Sequence, residues 1–506
     1  MLQKDEIKGI IENDLSSKKK KRARKAQLYY EGRHDILDYR IFYYNSDGDL
    51  VEDTTRSNVK IPHPFFMELV DQAVQYILSG SKEGIVKSDI PELQAEMDDY
   101  FNNSEDFKAE FAETITGCLT KGFDYMYCYK NEQDRLAFMH ADCLGVIEVK
   151  ARYASDNREH VIYWYMDSVD IKGKQVKRIM DWDSENVFYY FQDENGNIEP
   201  DNRFKGKNVK PHVIYYKEGD DKTCYYENLG FVPFFRLDNN IKQYSDLRPV
   251  KPLIDDYDIM ASSLSNNLID FDFPIYVVRG FEGASLDELQ QNLKTKKTIG
   301  TDEDTNSGVD IKTIDIPYEA RKIKLELDEK NIYRFGFGLN TQGLKDTSAT
   351  TNIAIKAAYS LLDLKKSKLE IRLMQFLRKL LNVVIDEINS VQGTDYSTSD
   401  VYFTFNPEIM SNAQENAQIK LIEAQEQQAR ITTLLNVSAR LDDETLMQAI
   451  CKELDIDYEK IRSKLPRNEE EDTSNAQCLL DSLDNIDTES GDLIEQKTKR
   501  GSKNLS

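Results

Sequence analysis

Apolar residues recur at two different spacings along the chain, and each spacing predicts a different secondary structure. In residues 65–79 they recur every three to four positions, which is typical of one face of an amphipathic helix. This stripe consists of Phe65, Leu69, Ala73 and Tyr76. Gly80 is placed to end the helix. A second helix is predicted to begin at Ser104 and end at Gly122, because serine and glycine are common at these respective ends.

Between residues 123 and 237 the spacing of apolar residues changes to two, the period of a strand. Turn-forming residues, such as those at 193–196, separate aromatic and β-branched runs. The runs lie at 123–130, 161–167, 187–193, 212–217 and 222–227. They predict an antiparallel meander or a small sandwich. Tyrosines on such strands can stack on nucleic-acid bases, but half-buried packing is the interpretation that we favour.

Helical spacing returns after the predicted sheet. Residues 252–272 predict a helix of roughly 30 Å. A short α/β insert at 274–316 separates it from a second helix, which is predicted over residues 318–335. After the segment 336–350, a long helix of about 60 Å is predicted to end near residue 390.

The C-terminal part of the chain is predicted to be mainly helical. Residues 401–405 predict a late strand that returns to the earlier sheet, and residues 412–465 predict further helices. Residues 467–506 contain an acidic run at 469–472 and few aromatic residues, so we expect them to be disordered.

The chain of 506 residues has a formal net charge of −24. Its length exceeds what one compact core accommodates, so roughly two to four domains are expected. The charge argues against a general DNA-coating role, although an acidic wall around moving DNA would prevent sticking. Residues 18–25 are basic at every position except Ala23. They fit an anionic partner or a solvated helix face, and we favour the solvated face.

The sequence does not indicate membrane insertion, secretion or a metal site. The chain has no apolar run of about 18 residues, and residues 1–10 contain no apolar signal core. Six cysteines are scattered without a CxxC pair, so we expect reduced thiols in a cytoplasm. No two of the five histidines have the spacing of a local metal site. We therefore expect no metal and no cofactor.

Recognised catalytic motifs are missing from the sequence. It contains no phosphate-binding P-loop, no nucleophile elbow of the GxSxG type and no HExxH zinc motif. Gly336 and Gly338 lack the third glycine of a dinucleotide-binding fingerprint and follow a helix rather than a strand. A solvated helix face explains acidic pairs such as Asp255 and Asp256. We predict that the chain is not an enzyme.

Several ordered segments resemble the portal proteins of tailed bacteriophages. The first, Tyr29-Tyr-Glu-Gly-Arg-His34-Asp-Ile36, is similar to the opening signature of that family. The others follow in the family's order, and the succession of helix, insert, helix, loop and long helix strengthens the resemblance. They are 58–62 with the helix through 76–80, 230–240 before the first stem helix, 246–267 within it, and 441–446 near the end.

The resemblance implies an α+β fold and a dodecameric ring with a central channel. It implies a mixed α/β wing, two stem helices, a small α/β clip, a long kinked helix after a tunnel loop, and an all-helical crown. The wing is residues 27–245 completed by 391–408, and the stem helices are 246–272 and 317–336. The clip is 273–316, the tunnel loop 337–350, the long wing helix 351–390 and the crown 409–466. The basic N-terminal arm, 1–26, and the acidic tail, 467–506, receive no role.

The resemblance also implies three sets of functional residues. Acidic stem residues repel phosphate in the channel region, a mobile tunnel loop touches the DNA, and clip lysines meet partner proteins. The stem set is Asp255, Asp256, Asp258, Glu319 and Glu326. The tunnel-loop set is Asn340, Gln342, Gly343, Lys345 and Thr347, and the clip set is Lys294, Lys296 and Lys297.

The implied function is structural. The ring occupies one capsid vertex, conducts double-stranded DNA during packaging and ejection without reading its sequence, and docks the terminase and head-completion proteins. Further expected partners are the scaffold and major capsid proteins, with no membrane. The expected location is the virion, after assembly in the host cytoplasm. Two alternatives stay open: a Mg²⁺-dependent nucleic-acid-processing enzyme with dispersed carboxylates, and a protein-binding scaffold that forms no ring.

Overall fold

The computed structural model describes residues 2–454 and residue 458, with interruptions. The interruptions are residues 55, 80–83, 132–134, 151–157, 169–174, 194, 203–205, 218–219, 272–274, 280–307, 313–317, 341–351, 406–412 and 438–442. The chain divides into two compact units, Met1–Ser411 and Asn412–Ser506. The fold is mixed α and β, as the sequence predicts.

The first unit contains eight helices among its described residues. They are α1 (Lys4–Ser16), α2 (Lys18–Tyr30), α3 (Phe65–Leu78), α4 (Pro91–Met97), α5 (Glu105–Lys121), α6 (Leu247–Phe271), α7 (Tyr318–Gly336) and α8 (Asn352–Gln392). Single turns at Asp35–Asp38, Asp98–Asn102 and Thr398–Asp400 connect some of them. Both ends predicted for α5 are confirmed. The Ser104 hydroxyl accepts the Phe107 N–H at 3.2 Å, and Gly122 adopts a φ of 96°, which favours glycine.

The strands of the first unit pair antiparallel. They are β1 (Phe42–Tyr44), β2 (Leu50–Glu52), β3 (Val86–Ser88), β4 (Phe123–Lys130), β5 (Leu136–Ala141), β6 (Val146–Lys150), β7 (Arg158–Ser168), β8 (Gln175–Trp182), β9 (Asn186–Gln192), β10 (Ile198–Pro200), β11 (Val209–Pro211), β12 (Val213–Lys217), β13 (Asp220–Glu227), β14 (Phe234–Asp238), β15 (Ile275–Arg279), β16 (Gly308–Lys312) and β17 (Val401–Phe403). The predicted antiparallel meander is confirmed: β6 to β10 pair in sequence order, and β11 adds to β9.

The main hydrophobic core lies between helices and a three-stranded sheet of order β14-β4-β5. Helices α3, α5 and α8 bury their apolar faces in it. Phe111 of α5 and Phe376 of α8 stack there with ring centroids 6.3 Å apart. Core packing of this kind explains why α8 remains one helix over 41 residues, far beyond the average helix length.

The basic N-terminal segment packs against the fold. Ile7 and Ile11 of α1 are buried with Ile162 and Tyr190 of the larger sheet. In α2 the Lys20 ammonium donates to the Cys143 and Val146 carbonyl oxygens and is almost fully buried. The prediction of a solvated face for residues 18–25 is therefore wrong at Lys20, although Lys18, Lys21, Arg22 and Arg24 are exposed.

Two further predictions need correction. The late strand β17 pairs with β3, Val401 opposite Ser88, and does not return to the tyrosine-rich sheet. Helix α6 begins five residues before the predicted start at Pro252. Pro249 lies in the first turn of α6, whose N–H groups have no internal partner, whereas Pro252 lies inside the helix and leaves one internal hydrogen bond unmade.

The second unit contains α9 (Ala413–Asn436) and α10 (Asp443–Glu453), which confirms helices in this region. Among the described residues, no helix combines the length and apolarity that a membrane span requires.

Candidate functional site

Helices α6 and α7 pack against each other and correspond to the two predicted stem helices. We call them the stem pair. The Lys324 ammonium of α7 lies 2.5 Å from a carboxylate oxygen of Asp256 on α6 and also pairs with Asp328 on its own helix. Asp255 accepts hydrogen bonds from Tyr29 and Lys251. These contacts compensate much of the acidic charge that the sequence predicts for the region.

The stem pair is close to electrically neutral. Within the two helices, eight acidic residues stand beside seven basic ones. Glu319 and Glu326 are exposed, and in the part of the chain that the structure describes neither forms an ion pair. Of the predicted acidic set, these two carboxylates are therefore the ones that present uncompensated charge.

Asp258, predicted as part of an acidic channel region, lies in the interior of the subunit. Its side chain is 1% exposed. His34 Nδ1 lies 2.6 Å from one carboxylate oxygen, and the ring and backbone nitrogens of His63 each lie 2.9 Å from the other. Asp258 therefore joins α6 to two N-terminal segments and does not line an open surface.

Hydrogen-bond acceptors surround the ring of the buried His34. The second ring nitrogen of His34 lies 3.2 Å from the Tyr29 carbonyl oxygen, which can only accept. Burial opposes the charge of Asp258, but hydrogen bonds from His34 and His63 outweigh it, and the pKa of Asp258 is lowered. An ionised carboxylate also only accepts, so both ring nitrogens of His34 face hydrogen-bond acceptors.

The root of the predicted tunnel loop is fixed to α3. The backbone N–H of Leu339 donates to the Gln72 side-chain oxygen at 2.8 Å, and the Gln72 side-chain nitrogen donates to the Leu339 carbonyl at 3.1 Å. A Cβ at Gly338 would lie 2.2 Å from a methyl carbon of Leu69, so the backbone approaches α3 closely.

Most predicted loop and clip residues cannot be compared with the structure. Asn340 is half-buried directly after the fixed root. The other members of these two sets lie outside the described residues. They are Gln342, Gly343, Lys345, Thr347, Lys294, Lys296 and Lys297.

One cluster in the described residues has the composition of a metal site. Ligand atoms of Asp124, Asp142 and Cys143 lie within 4.8 Å of one another. The Lys121 ammonium, however, lies 2.8 Å from both Asp124 and Asp142. A side-chain cation thus compensates these carboxylates, and nearby carboxylates raise the pKa of Lys121 against the opposing effect of its burial. The cluster is a buried ion-pair network.

Comparison with known proteins adds the decisive observation. Residues 11–460 match the family model described as phage portal protein, SPP1 Gp6-like. This chain belongs to the phage portal protein family. It is 28% identical over 427 residues to the portal protein of Clostridium phage phiCD119, covering 82% of this chain and 88% of that protein. It is 26% identical over 358 residues to the portal protein of Bacillus phage SPP1, covering 70% and 67% respectively.

The predicted function is confirmed at the level of the family. The chain is a structural subunit of a bacteriophage portal, the ring at one capsid vertex through which DNA is packaged and ejected and to which terminase and head-completion proteins dock. The family is one of structural proteins and not of enzymes. As a portal subunit the chain is a virion component.

Sequence reasoning missed two features of this portal subunit. The cluster of His34, His63 and Asp258 joins residues up to 224 positions apart, and no local spacing reveals such a contact. The second feature is Tyr244, whose ring contacts both Arg22 and Arg248. In the sequence, this contact was indicated only by the basic run at 18–25. The sequence does not show which surface that run contacts.

Proposed function

We propose that twelve copies of the chain form the portal ring and that the stem pair bounds its channel. The proposal rests on the family match over residues 11–460, together with the order of stem helix, insert, stem helix, loop and long helix. In this arrangement the wing, clip, tunnel loop and crown have the boundaries that the resemblance implies.

Exposed apolar residues of the stem pair support contacts between copies. Ile259, Ile323 and Leu327 are 37%, 62% and 52% exposed in the single subunit. Apolar surface of this kind favours burial against a partner. A ring uses two different surfaces of each subunit, one for each neighbour, and the outer faces of a helix pair can provide both.

The charge of the stem pair suits transport of DNA without retention. Glu319 and Glu326 repel phosphate, while the remaining charges largely compensate one another. Strong positive charge would hold the duplex, because each phosphate contact adds salt-dependent affinity. We propose that both glutamates face the channel.

The tunnel loop is the proposed moving contact with DNA. Its root is held by Gln72, whereas residues 341–350 are mostly small and polar with Lys345 as their one cation. Asn340, Gln342 and Lys345 are the proposed weak phosphate contacts, with Gly343 and Thr347 as further members of the loop.

The clip, residues 273–316, is the proposed docking site for terminase and for the head-completion adaptor. Lys294, Lys296 and Lys297 provide positive charge for acidic partner surfaces. Scaffold and major capsid proteins are the further proposed partners. Assembly takes place in the host cytoplasm.

The first experiment measures the native mass of the purified chain by light scattering, with negative-stain images of the same fraction. Rings of twelve with a central hole are expected. A species that remains monomeric across salt and protein concentrations and shows metal-dependent activity on DNA would overturn the proposal and favour the enzyme alternative.

The second experiment removes residues 341–348. Rings should still form, because the deletion leaves the Gln72–Leu339 contact in place, but DNA packaging or retention should be impaired. Loss of rings would assign the segment to contacts between subunits instead.

A further inference from the structure

Tyr244 brings two arginines from distant parts of the chain together. The Arg22 guanidinium carbon of α2 lies 4.9 Å from the Tyr244 ring centroid, and that of Arg248, in the first turn of α6, lies 4.1 Å from it. Both guanidinium groups are therefore no more than about 9 Å apart, a distance at which like charges repel each other.

Neither arginine has a carboxylate partner within the described residues. Arg22 donates to the Lys18 carbonyl at 3.2 Å and to the Tyr244 hydroxyl, and Arg248 forms no ion pair there. Some other arginines of the same unit are compensated, whereas Arg24 and Arg334 also form no ion pair within the described residues. Arg178 pairs with Asp167 and Asp201, and Arg236 pairs with Glu148 and Asp238. In a chain of net charge −24, these two exposed arginines are thus available to bind an anion from outside the subunit.

Both arginines line a cavity of about 240 Å³. Its described lining contains five cations and no acidic residue. The cations are Arg22, Lys25, Lys121, Arg248 and Lys251.

Three of the five are already paired. Lys25 and Lys251 both bind Asp35, and Lys121 binds Asp124 and Asp142. The uncompensated positive charge of the cavity thus comes from Arg22 and Arg248.

The wall that carries Tyr244 is rigid. Asn239 and Asn240 donate to the Tyr244 carbonyl at 3.0 and 2.7 Å, and the Tyr244 N–H donates back to Asn240 at 3.0 Å. Gln243 holds a φ of 54°, which non-glycine residues seldom adopt, and its carbonyl would lie 2.5 Å from a Cβ at Gly122. Strain of this kind persists where the surroundings enforce it, often at binding sites.

The electrostatic field at the ring agrees with this geometry. The Arg22 hydrogen bond and the charge of Arg248 lower the pKa of Tyr244, because both stabilise its ionised form. The site is therefore positive before any ligand arrives.

We propose that the cavity between α2 and the first turn of α6 binds a phosphoryl group, which the guanidinium groups of Arg22 and Arg248 hold above Tyr244. Each planar guanidinium can donate two parallel hydrogen bonds to oxygens of one tetrahedral anion. A carboxylate offers only two oxygens and one charge, whereas a phosphate offers enough acceptors for both groups. The phosphoryl group can come from a nucleic-acid phosphodiester or from a free phosphate, and neither source requires the ring.

Calorimetric titration of the full-length chain with inorganic phosphate, at constant ionic strength, tests the proposal. A 20-base-pair DNA duplex is titrated in parallel. Arg22→Gln and Arg248→Gln should each weaken phosphate binding by about tenfold or more, because each removes charge-assisted hydrogen bonds. Arg24→Gln is the matched control, since this exposed arginine lies on the same helix and does not line the cavity. It should change the affinity less than about twofold.

The two titrations separate the sources. If both cavity variants weaken DNA binding, and inorganic phosphate competes with the DNA, the site binds a phosphodiester. If the arginines are needed for phosphate binding but the chain does not bind DNA in this way, the site binds a free anion. Arg248→Lys, which keeps the charge but loses the planar fork, provides a second variant should a glutamine variant fail to fold. Equal affinity in wild type and all variants, or no binding of either probe, overturns the proposal.

Discussion

His34 and Asp258 are 224 positions apart in the sequence, yet His34 Nδ1 lies 2.6 Å from a carboxylate oxygen of Asp258 in the interior of the subunit. His63 binds the other oxygen of the same carboxylate. The cluster fixes the first stem helix to the segment before α3. It therefore connects the proposed channel wall with the N-terminal part of the wing.

Asp258→Asn should lower the free energy of unfolding by about 1–3 kcal/mol, because it removes the charged acceptor that the buried His34 and the His63 backbone share. Urea denaturation followed by circular dichroism measures the change. Asp256→Asn is the control, since that carboxylate is half-exposed beside Lys324 and should contribute about 1 kcal/mol or less. Equal losses in both variants would contradict a special role for the buried Asp258 carboxylate.

The same cluster predicts a pH dependence. The pKa of Asp258 is lowered in the folded chain, so its contribution is fully present above the ordinary aspartate pKa near 3.8. It is lost as the pH falls through the lower, folded-state value. The stability difference between wild type and Asp258→Asn should therefore shrink below about pH 4, whereas a difference that grows in acid would contradict the sign.

Gly117→Ala should destabilise the wing. A Cβ at Gly117 would lie 1.5 Å from a carboxylate oxygen of Asp124, which is fully buried and bound to Lys121. We expect a loss of about 1–3 kcal/mol, since the ion pair must move to admit the methyl group. Gly9→Ala in α1 is the matched control, because no atom lies within 4 Å of its Cβ position. Alanine there should be neutral or stabilise by up to about 1 kcal/mol.

Gln72→Ala should release the root of the tunnel loop by removing both hydrogen bonds to Leu339. Limited trypsin digestion should cleave after Lys345 faster than in the wild type, and ring assembly should remain normal. Gln27→Ala, which removes an exposed hydrogen bond to Glu31 on α2, should leave the cleavage rate unchanged. An unchanged rate in Gln72→Ala would show that the root is held by other contacts.

Reversing both exposed stem glutamates, Glu319→Lys with Glu326→Lys, should slow DNA translocation. The nearly neutral stem pair would gain four positive charges per subunit, and a positive channel retains phosphate. Packaging rates at several salt concentrations measure the effect, which should weaken as salt increases. The control reverses Glu12 and Glu31, two exposed glutamates outside the stem pair. A similar effect of both pairs would exclude a channel-specific role.

Local signals predicted the elements whose ends and faces depend on neighbouring residues. Ser104 and Gly122 define α5 because caps act within one helical turn. The tyrosine-rich runs predicted strands because alternation is also local. The partner of β17 was predicted wrongly, since pairing between residues 401 and 88 depends on how α8 returns across the core.

Side-chain environments were harder to predict than elements. Lys20 and Asp258 look like solvated charges in the sequence, and only the fold brings carbonyl oxygens and histidines to them. The near neutrality of the stem pair could have been found by counting its lysines and arginines as well as its acids. Most of the tunnel loop and all three clip lysines remain predictions.

Helix α8 has a mechanical consequence. Buried residues between Leu362 and Ile388 hold about 40 Å of this helix against the rest of the subunit. The first turns of the helix precede this buried part and follow the proposed tunnel loop. A helix fixed along most of its length acts as a stiff lever, so a force applied at the DNA-contacting end is converted into strain on the wing.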